Sequence, residues 1–499
     1  MNIKIGYYLL LIASWIGYAH GQPMPSELWP VRNTSEGFDL GLNWEANTLL
    51  KPYNLRSVTG IDSYRTASLW IERDCRQFGK QWHNLQAPRF MIWPGFISQW
   101  KQGEAEIEGS DFRAVTLFSM LEFRNWYANI YVRASNSDDA FSNFTPHSRQ
   151  ISRAGMHAGE IDQALLGYIN SWVQLSFGRG RQIWGPNLSN NLILSSSSAS
   201  YDHLSLRLYY KRWSFSYFHG FLEAIKDSQG RQQTRFITGR ALQYRPCRHG
   251  FIVVGETSVY YGENRSMDWG FMNPLIPHIE NEQNQRENII NENQSNAIWF
   301  AAMDFLFPYQ LRFSGSIVFD EFQLDRTDRN QGRPDAMAYQ VRLAKSWMGT
   351  ESALTLFGRY DAVGTYTYRH EKPFTCFASR ELPLAMPQGS DFFQWTSGIR
   401  WIFPCRIRFK SEYSYRETGE NNLNDLMYIP YTEFISVPFP SGHTIASKKL
   451  CFHVLWAFRS NFDIAAGYAA QWIKTGHQES NNHSLYLRMD IHLPIIILL

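Results

Sequence analysis

Cysteine is scarce and badly placed for chemistry. Five residues, Cys75, Cys247, Cys376, Cys405 and Cys451, lie far apart with no C-x-x-C pair, which argues against a thiolate zinc site or a dense disulfide framework and leaves at least one thiol unpaired. Excess charge is lacking too: 48 Lys and Arg against 45 Asp and Glu give +3 over 499 residues with no basic stripe, so nucleic acid is not an expected partner. Beyond residue 21 no apolar run approaches the roughly 18 to 20 residues that a membrane helix needs. The glycines of Gly178-Arg179-Gly180-Arg181 lack the G-x-x-x-x-G-K-[ST] spacing of a phosphate loop. The serine run Ser195 to Ser198 has no G-x-S-x-G elbow around it. His203, His219, His249 and His278 have no spacing that fixes a triad with it. The carboxylates Asp320, Glu321, Asp325 and Asp328 do not form a calcium loop and read as a salt-bridged rim beside Arg326 and Arg329. No enzyme activity, metal or cofactor is expected.

What is present is an export signal and an excess of aromatics. Lys4 precedes an apolar run from Ile5 to Tyr18, and Ala19-His20-Gly21 supplies a small-residue cleavage pattern, so residues 1–21 read as a signal peptide. Aromatic residues make up 16% of the chain. In an exported chain without membrane helices, that fits either a secreted β-protein or a barrel whose aromatics ring the lipid interfaces.

Period-two alternation fills the rest. Leu204, Leu206, Leu208 and Tyr210 oppose Ser205, Arg207 and Lys211; Trp213, Phe215 and Tyr217 oppose Ser214 and Ser216 after a Lys211-Arg212 corner. Ile407, Phe409, Tyr413 and Tyr415 oppose Arg406, Arg408, Lys410, Glu412 and Ser414. Leu485, Leu487, Met489, Ile491 and Leu493 oppose Ser484, Tyr486, Arg488, Asp490 and His492. Alternation does not name the solvent, but connection length does. Short corners alternate with long polar stretches at 222–234, 262–296, 323–335, 361–391, 418–447 and 474–483, as expected for an up-and-down transmembrane barrel with tight periplasmic turns and long extracellular loops.

Strands are expected near 112–122, 126–134, 167–177, 204–211, 213–221, 235–245, 250–261, 297–307, 310–321, 336–346, 351–361, 393–403, 405–416, 447–458, 462–473 and 484–493. Parity demands one more between 167–177 and 204–211, for which Asn190 to Ser196 is the candidate, with Gly178 to Asn187 as a periplasmic turn. A further strand near 90–100 restores an even number, giving about 18. The expected fold is therefore all-β, a transmembrane up-and-down antiparallel barrel over 86–499. Residues 22–85, whose period looks helical around Leu69, Trp70 and Phe78, would form a small N-terminal periplasmic or plug element.

The long loop at 262–296 is dense in amides and carboxylates, the groups that hydrogen-bond sugar hydroxyls, and holds aromatics able to stack on a pyranose. Its candidates for glycan contact are Trp269, Phe271, His278, Glu280, Asn281, Glu282, Gln283, Asn284 and Arg286.

Three stretches carry a resemblance: "RGRQIWGPNLSNNLILSSSSASYDHLSLRLYYKRWSFSYFHG" (179–220), "FMNPLIPHIENE" (271–282) and "GSIVFDEFQLDR" (315–326) resemble the Wzi family of capsule-assembly outer-membrane proteins. The resemblance covers most of the chain from about residue 110 onward. It implies an 18-stranded outer-membrane barrel in a Gram-negative envelope, a periplasmic helical bundle, no catalysis and no cofactor. It also implies a lectin-like role in holding capsular or extracellular polysaccharide at the cell surface. A porin for sugars or other small solutes is the alternative. One departure is that the chain ends Pro494 to Leu499 without a terminal aromatic.

Overall fold

In the computed structural model the chain forms a closed antiparallel barrel of eighteen strands. The structure describes residues 89–103, 111–146, 154–186, 190–247, 249–283, 295–321, 335–349, 352–430, 438–459, 462–492 and 495–498. The signal peptide and the helical N-terminal element expected from the sequence lie outside these residues. In chain order the strands are β1 Arg89–Gly103, β2 Phe112–Phe123, β3 Trp126–Ser135, β4 Ala158–Ile169, β5 Val173–Gly180, β6 Tyr201–Tyr210, β7 Trp213–Phe221, β8 Gln232–Cys247 and β9 Gly250–Glu263. They continue as β10 Ser295–Phe307, β11 Leu311–Glu321, β12 Ala336–Met348, β13 Ala353–Val363, β14 Phe392–Ile402, β15 Ile407–Thr418, β16 Ile445–Arg459, β17 Phe462–Thr475 and β18 Gln478–His492. Each pairs with its neighbour in sequence, and β18 closes the ring on β1 from Gly95 opposite His492 to Gly103 opposite Ser484. Ile495–Leu498 then pairs with Arg89–Ile92, so the end of the chain stays in the wall without a terminal aromatic.

Burial is inverted relative to a water-soluble sandwich. Leu242, Val254, Val341, Leu343, Leu485 and Leu487 point outward and are exposed, whereas Arg133, Arg235, Arg312 and Arg408 are among the most deeply buried side chains. Such a surface is stable only against hydrocarbon, and alternating wall residues with the apolar set outside are what a membrane barrel requires. The aromatic surplus concentrates near the short-turn rim, where Trp126 packs on Tyr168 (5.1 Å), Trp213 on Tyr244 (4.5 Å), Trp401 on Phe403 (4.4 Å) and Trp456 on Phe458 (4.9 Å). Toward the other rim Tyr360 packs on Trp395 (4.3 Å). Two such girdles are the amphipathic rings' preferred level at a membrane–water boundary.

Four sequence expectations change. The strand placed at 167–177 is two strands, β4 and β5. The turn between them is closed by the Asn170 side chain, which accepts from the backbone N–H of Trp172 (2.9 Å) and Val173 (2.8 Å). Asn190 to Ser196 is therefore not a wall strand, and the count stays even because β4 takes its place. The stretch that begins at Gly178 is not a periplasmic turn either: Gly178 lies within β5 at φ 132°, where an added Cβ would lie 2.1 Å from the Ala164 carbonyl oxygen, and β5 runs on to Gly180 at the long-loop side. Finally, 474–483 is no long loop. β17 and β18 run on as a tall hairpin closed at Gly476 (φ 60°) and His477.

Candidate functional site

The segments joining the strands at the long-loop rim fold in two directions. Segments 181–200, 364–391 and 419–428 turn into the lumen. Trp184 meets Phe218 of β7 (5.1 Å) and Phe300 of β10 (5.9 Å) edge-on. Leu192, Ile193, Leu194, Phe377, Leu384, Met386 and Leu423 complete one apolar core against the inward faces of β7 to β14. Wall side chains hold the inserted backbone by its carbonyls. Arg235 of β8 donates to Phe374 (2.6 Å), Cys376 (2.7 Å) and Ala378 (3.0 Å). Arg312 of β11, bidentate on Asp304, donates to Pro186 (3.1 Å), and Gln340 of β12 to Asn190 (2.9 Å). Asp320 accepts from the Tyr368 N–H (2.5 Å), so the carboxylate read as a rim ion pair is an anchor for segment 364–391. On the opposite side Arg133 of β3 binds Glu160, Asp162 and Asn143, and Arg181 shares Asp162, fixing the ends of 136–146 and 181–200 together. Buried polar groups of this kind specify one loop arrangement, because each displaced carbonyl or guanidinium would be left unmatched in an apolar setting.

This core stops at Phe392 of β14. Beyond it the lumen wall is polar and partly open. Register puts Arg342 of β12 opposite Arg359 of β13, then Thr396, Ser414, Lys449 and Gln471 in one row across β14 to β17. Two rows toward the short-turn rim, Arg400 stands opposite Lys410, and Lys410 opposite His453. One row toward the long-loop rim is Arg416, opposite Gln394. Like charges directly opposed across strands cost stability. Here they are partly offset: Asp361 lies 2.8 Å from Arg359, Glu412 lies 2.7 Å from Lys410, and the Phe357 ring sits 5.2 Å from Arg342 and 4.5 Å from Arg400. Side-chain exposures of 33% for Lys410 and 27% for Glu412 show that this lane reaches solvent.

The segment from Arg265 to Gln283, which holds most of the sugar-contact candidates, does not enter the lumen. Its two short helices, α1 Trp269–Met272 and α2 His278–Gln283, dock on the outer wall of β7 to β9. Phe271 stacks on Tyr260 (4.1 Å), which stacks on Phe236 (4.9 Å). Arg240 pairs with Glu256 and donates to the carbonyls of Phe271 (3.1 Å) and Asn273 (3.2 Å), while the His278 N–H donates to Glu256 (2.8 Å). Phe271, His278 and Asn281 are thus buried anchors; Glu280 is partly buried and Trp269 is exposed. Glu282 and Gln283 fall in the last turn of α2, and Asn284 and Arg286 lie outside the described residues. The structure gathers the first seven on one loop but leaves a single ring, Trp269, at the surface. The lane was missed as a site although the charged alternation at 406–412 had announced part of it.

Burial, with the Arg240 guanidinium nearby, pushes the His278 imidazole down to about 4. The docked loop holds the neutral ring, so its stability is intact above the ordinary histidine value near 6.5. It falls as pH drops toward 4, since the released loop takes up a proton that the docked one cannot, at about 1.4 kcal/mol per unit. Protection factors across 265–283, that is, exchange corrected for the intrinsic slowing of amide exchange in acid, should fall between pH 7 and pH 5; unchanged protection would refute this origin of loop stability.

The serines of the run 195–198 bond locally: the Ser195 hydroxyl lies 2.8 Å from that of Ser197, and Ser198 donates to the Ser195 carbonyl (3.0 Å). His219 pairs with the Tyr260 hydroxyl (2.7 Å) and His278 with Ser258 (3.1 Å), both buried and consumed in docking the loop.

An outward apolar wall, two aromatic girdles and a lumen partly filled by the chain's own loops define a large outer-membrane β-barrel. A family model described as capsule assembly protein Wzi matches residues 122–485, and the chain belongs to that family. Among solved structures it is similar to Escherichia coli Wzi, described as an outer membrane protein involved in group 1 capsule assembly and a carbohydrate-binding β-barrel. That likeness has 11% identity and TM-score 0.56, covering 96% of this chain and 94% of that one. Pseudomonas aeruginosa OprD (8% identity, TM-score 0.42, 82% and 95% coverage) and Acinetobacter baumannii OccAB2 (10%, 0.44, 82% and 98%) are less similar. No curated protein matches the sequence.

Proposed function

We propose that the protein binds capsular or extracellular polysaccharide at the cell surface as part of capsule assembly, and that the lumenal lane on β12 to β16 takes an acidic strand of it. The lane itself carries the reading. Among the described residues Arg342, Arg359, Arg400, Lys410, Arg416 and Lys449 outnumber Asp361 and Glu412 on one wall, Thr396 and Ser414 stand between Arg359 and Lys449, and Gln471 of β17 lies beyond Lys449, all three as partners for sugar hydroxyls. Lys410 and Arg416 are six residues apart on one strand, roughly 20 Å at 3.3 Å per residue, too far for one small anion to engage both. Family membership supports a surface polysaccharide as the polyanion.

Purified protein should bind uronic-acid oligomers and bind neutral dextran oligomers of equal length less well. Lys449→Gln and Arg416→Gln should each weaken acidic binding about tenfold, as expected when one charge-assisted hydrogen bond is removed from a partly desolvated site, while Lys449→Arg keeps it. Equal binding of both oligomers, unmoved by these substitutions, would refute the lane as the site. Deleting the gene should release polysaccharide from the cell surface, and unchanged retention would refute the role. A conducting porin is the other reading the solvent-reaching lane admits; large steady conductance in a planar bilayer would favour it.

A further inference from the structure

Arg240 and Glu256 occupy outward positions of β8 and β9, in phase with the exposed Leu242 and Val254 two residues nearer the short-turn rim. An ion pair here faces the membrane side of the wall, where exposed charge is costly. The docked segment covers it. Height follows from register: Ser258, which bonds His278, shares its row with Thr238, His219, Leu204 and Phe177. In that row Leu204 and Phe177 point outward with exposures of 43% and 64%, and on the other flank Trp299, opposite Glu256, is 44% exposed. The segment therefore sits within the apolar band on both flanks, near its long-loop edge. It fills a notch that lipid fills elsewhere around the barrel.

Its own outer surface is apolar where it counts. Trp269 is 77% exposed and Leu275 80% exposed, on a stretch whose other large rings are turned inward. Trp at the boundary of acyl chains and headgroups is the placement its amphipathic ring prefers. A second copy of the chain would need about 800 Å² per partner for a stable interface, far more than two side chains offer.

We propose that the segment Arg265–Gln283 is a lipid-facing clamp that shields the Arg240–Glu256 pair and sets Trp269 and Leu275 among the acyl chains of the outer leaflet. The partner is lipid, and the contact is separate from the glycan lane. The test places the photo-crosslinker p-benzoylphenylalanine at Leu275, and separately at Trp269, in the full chain reconstituted in phospholipid vesicles. Leu343, in the outward apolar band, is the positive control and Gln229, exposed in the β7–β8 loop, the negative one. Lipid adducts at 269, 275 and 343 but not at 229 are expected. Adducts at 343 alone would overturn the clamp, and protein dimers cross-linked through 275 would overturn it in favour of a second copy. Since neither substituted side chain anchors the docked loop, both variants should fold, which the heat-dependent gel shift of an intact barrel checks.

Discussion

Trp184→Ala should lower the stability of the lumenal core by about 3–5 kcal/mol, the usual range for truncating a fully buried Trp. Trp184 is completely enclosed, edge-on to Phe218 and Phe300, and so close to the wall that a Cβ added to Gly239 would come within 3.0 Å of its ring. Nothing small fills such a space without the backbone moving, because Trp184 is also bridged to Leu194 in both directions (3.0 and 3.2 Å). The wall hydrogen bonds do not depend on the ring, so the damage should be selective. Strand content should persist, segments 181–200 and 364–391 should become accessible to protease, and bilayer conductance should rise above that of the parent. Parent-like protease resistance and conductance would mean that the apolar core does not hold the loops, leaving Arg235 and Arg312 to do so.

The barrel was legible because a wall strand advertises itself locally: period two and the length of the next connection are properties of a few adjacent residues. What loops do after leaving the wall is not local. Leu192 and Leu194 alternate like a strand, yet they are buried by Tyr368, whose hydroxyl donates to the Leu192 carbonyl (2.5 Å) from 176 positions away. The strand that truly completes the count, β4, hid itself. Glu160, Asp162 and Gln163 crowd its inner face, Gly159 and Gly167 thin its pattern, and its register slips against β3 between Tyr131 and Val132. Composition alone suggested a sugar-binding loop at 262–296. The contrary signal was in the strands beneath it, where Arg240 and Glu256 fall on the lipid-facing phase and so require a cover.

That cover makes Arg240→Met the second large effect. The guanidinium matches three oxygen-bearing partners at once: the Glu256 carboxylate and the carbonyls of Phe271 and Asn273. Methionine keeps an unbranched apolar stem but ends short of the guanidinium, so the substitution removes the charge and its hydrogen bonds while leaving the stem's contacts with the wall. Glu256 is then left buried, still accepting from the His278 N–H (2.8 Å) but without its cation. Removing one member of a buried pair costs about 3–5 kcal/mol, whereas replacing both with apolar residues is often neutral. Arg240→Met should therefore free the segment 265–283 and lower the barrel's unfolding midpoint in detergent and in lipid. Adding Glu256→Met should restore most of the midpoint, since the outer wall would then read apolar through that row like its flanks. The double variant should still show faster hydrogen exchange across 265–283, because the carbonyls of Phe271 and Asn273 remain without their donor. If the double variant is no more stable than the single one, the pair does not act as a charge held away from lipid, and the stacked rings of Phe236, Tyr260 and Phe271 carry the docking by themselves.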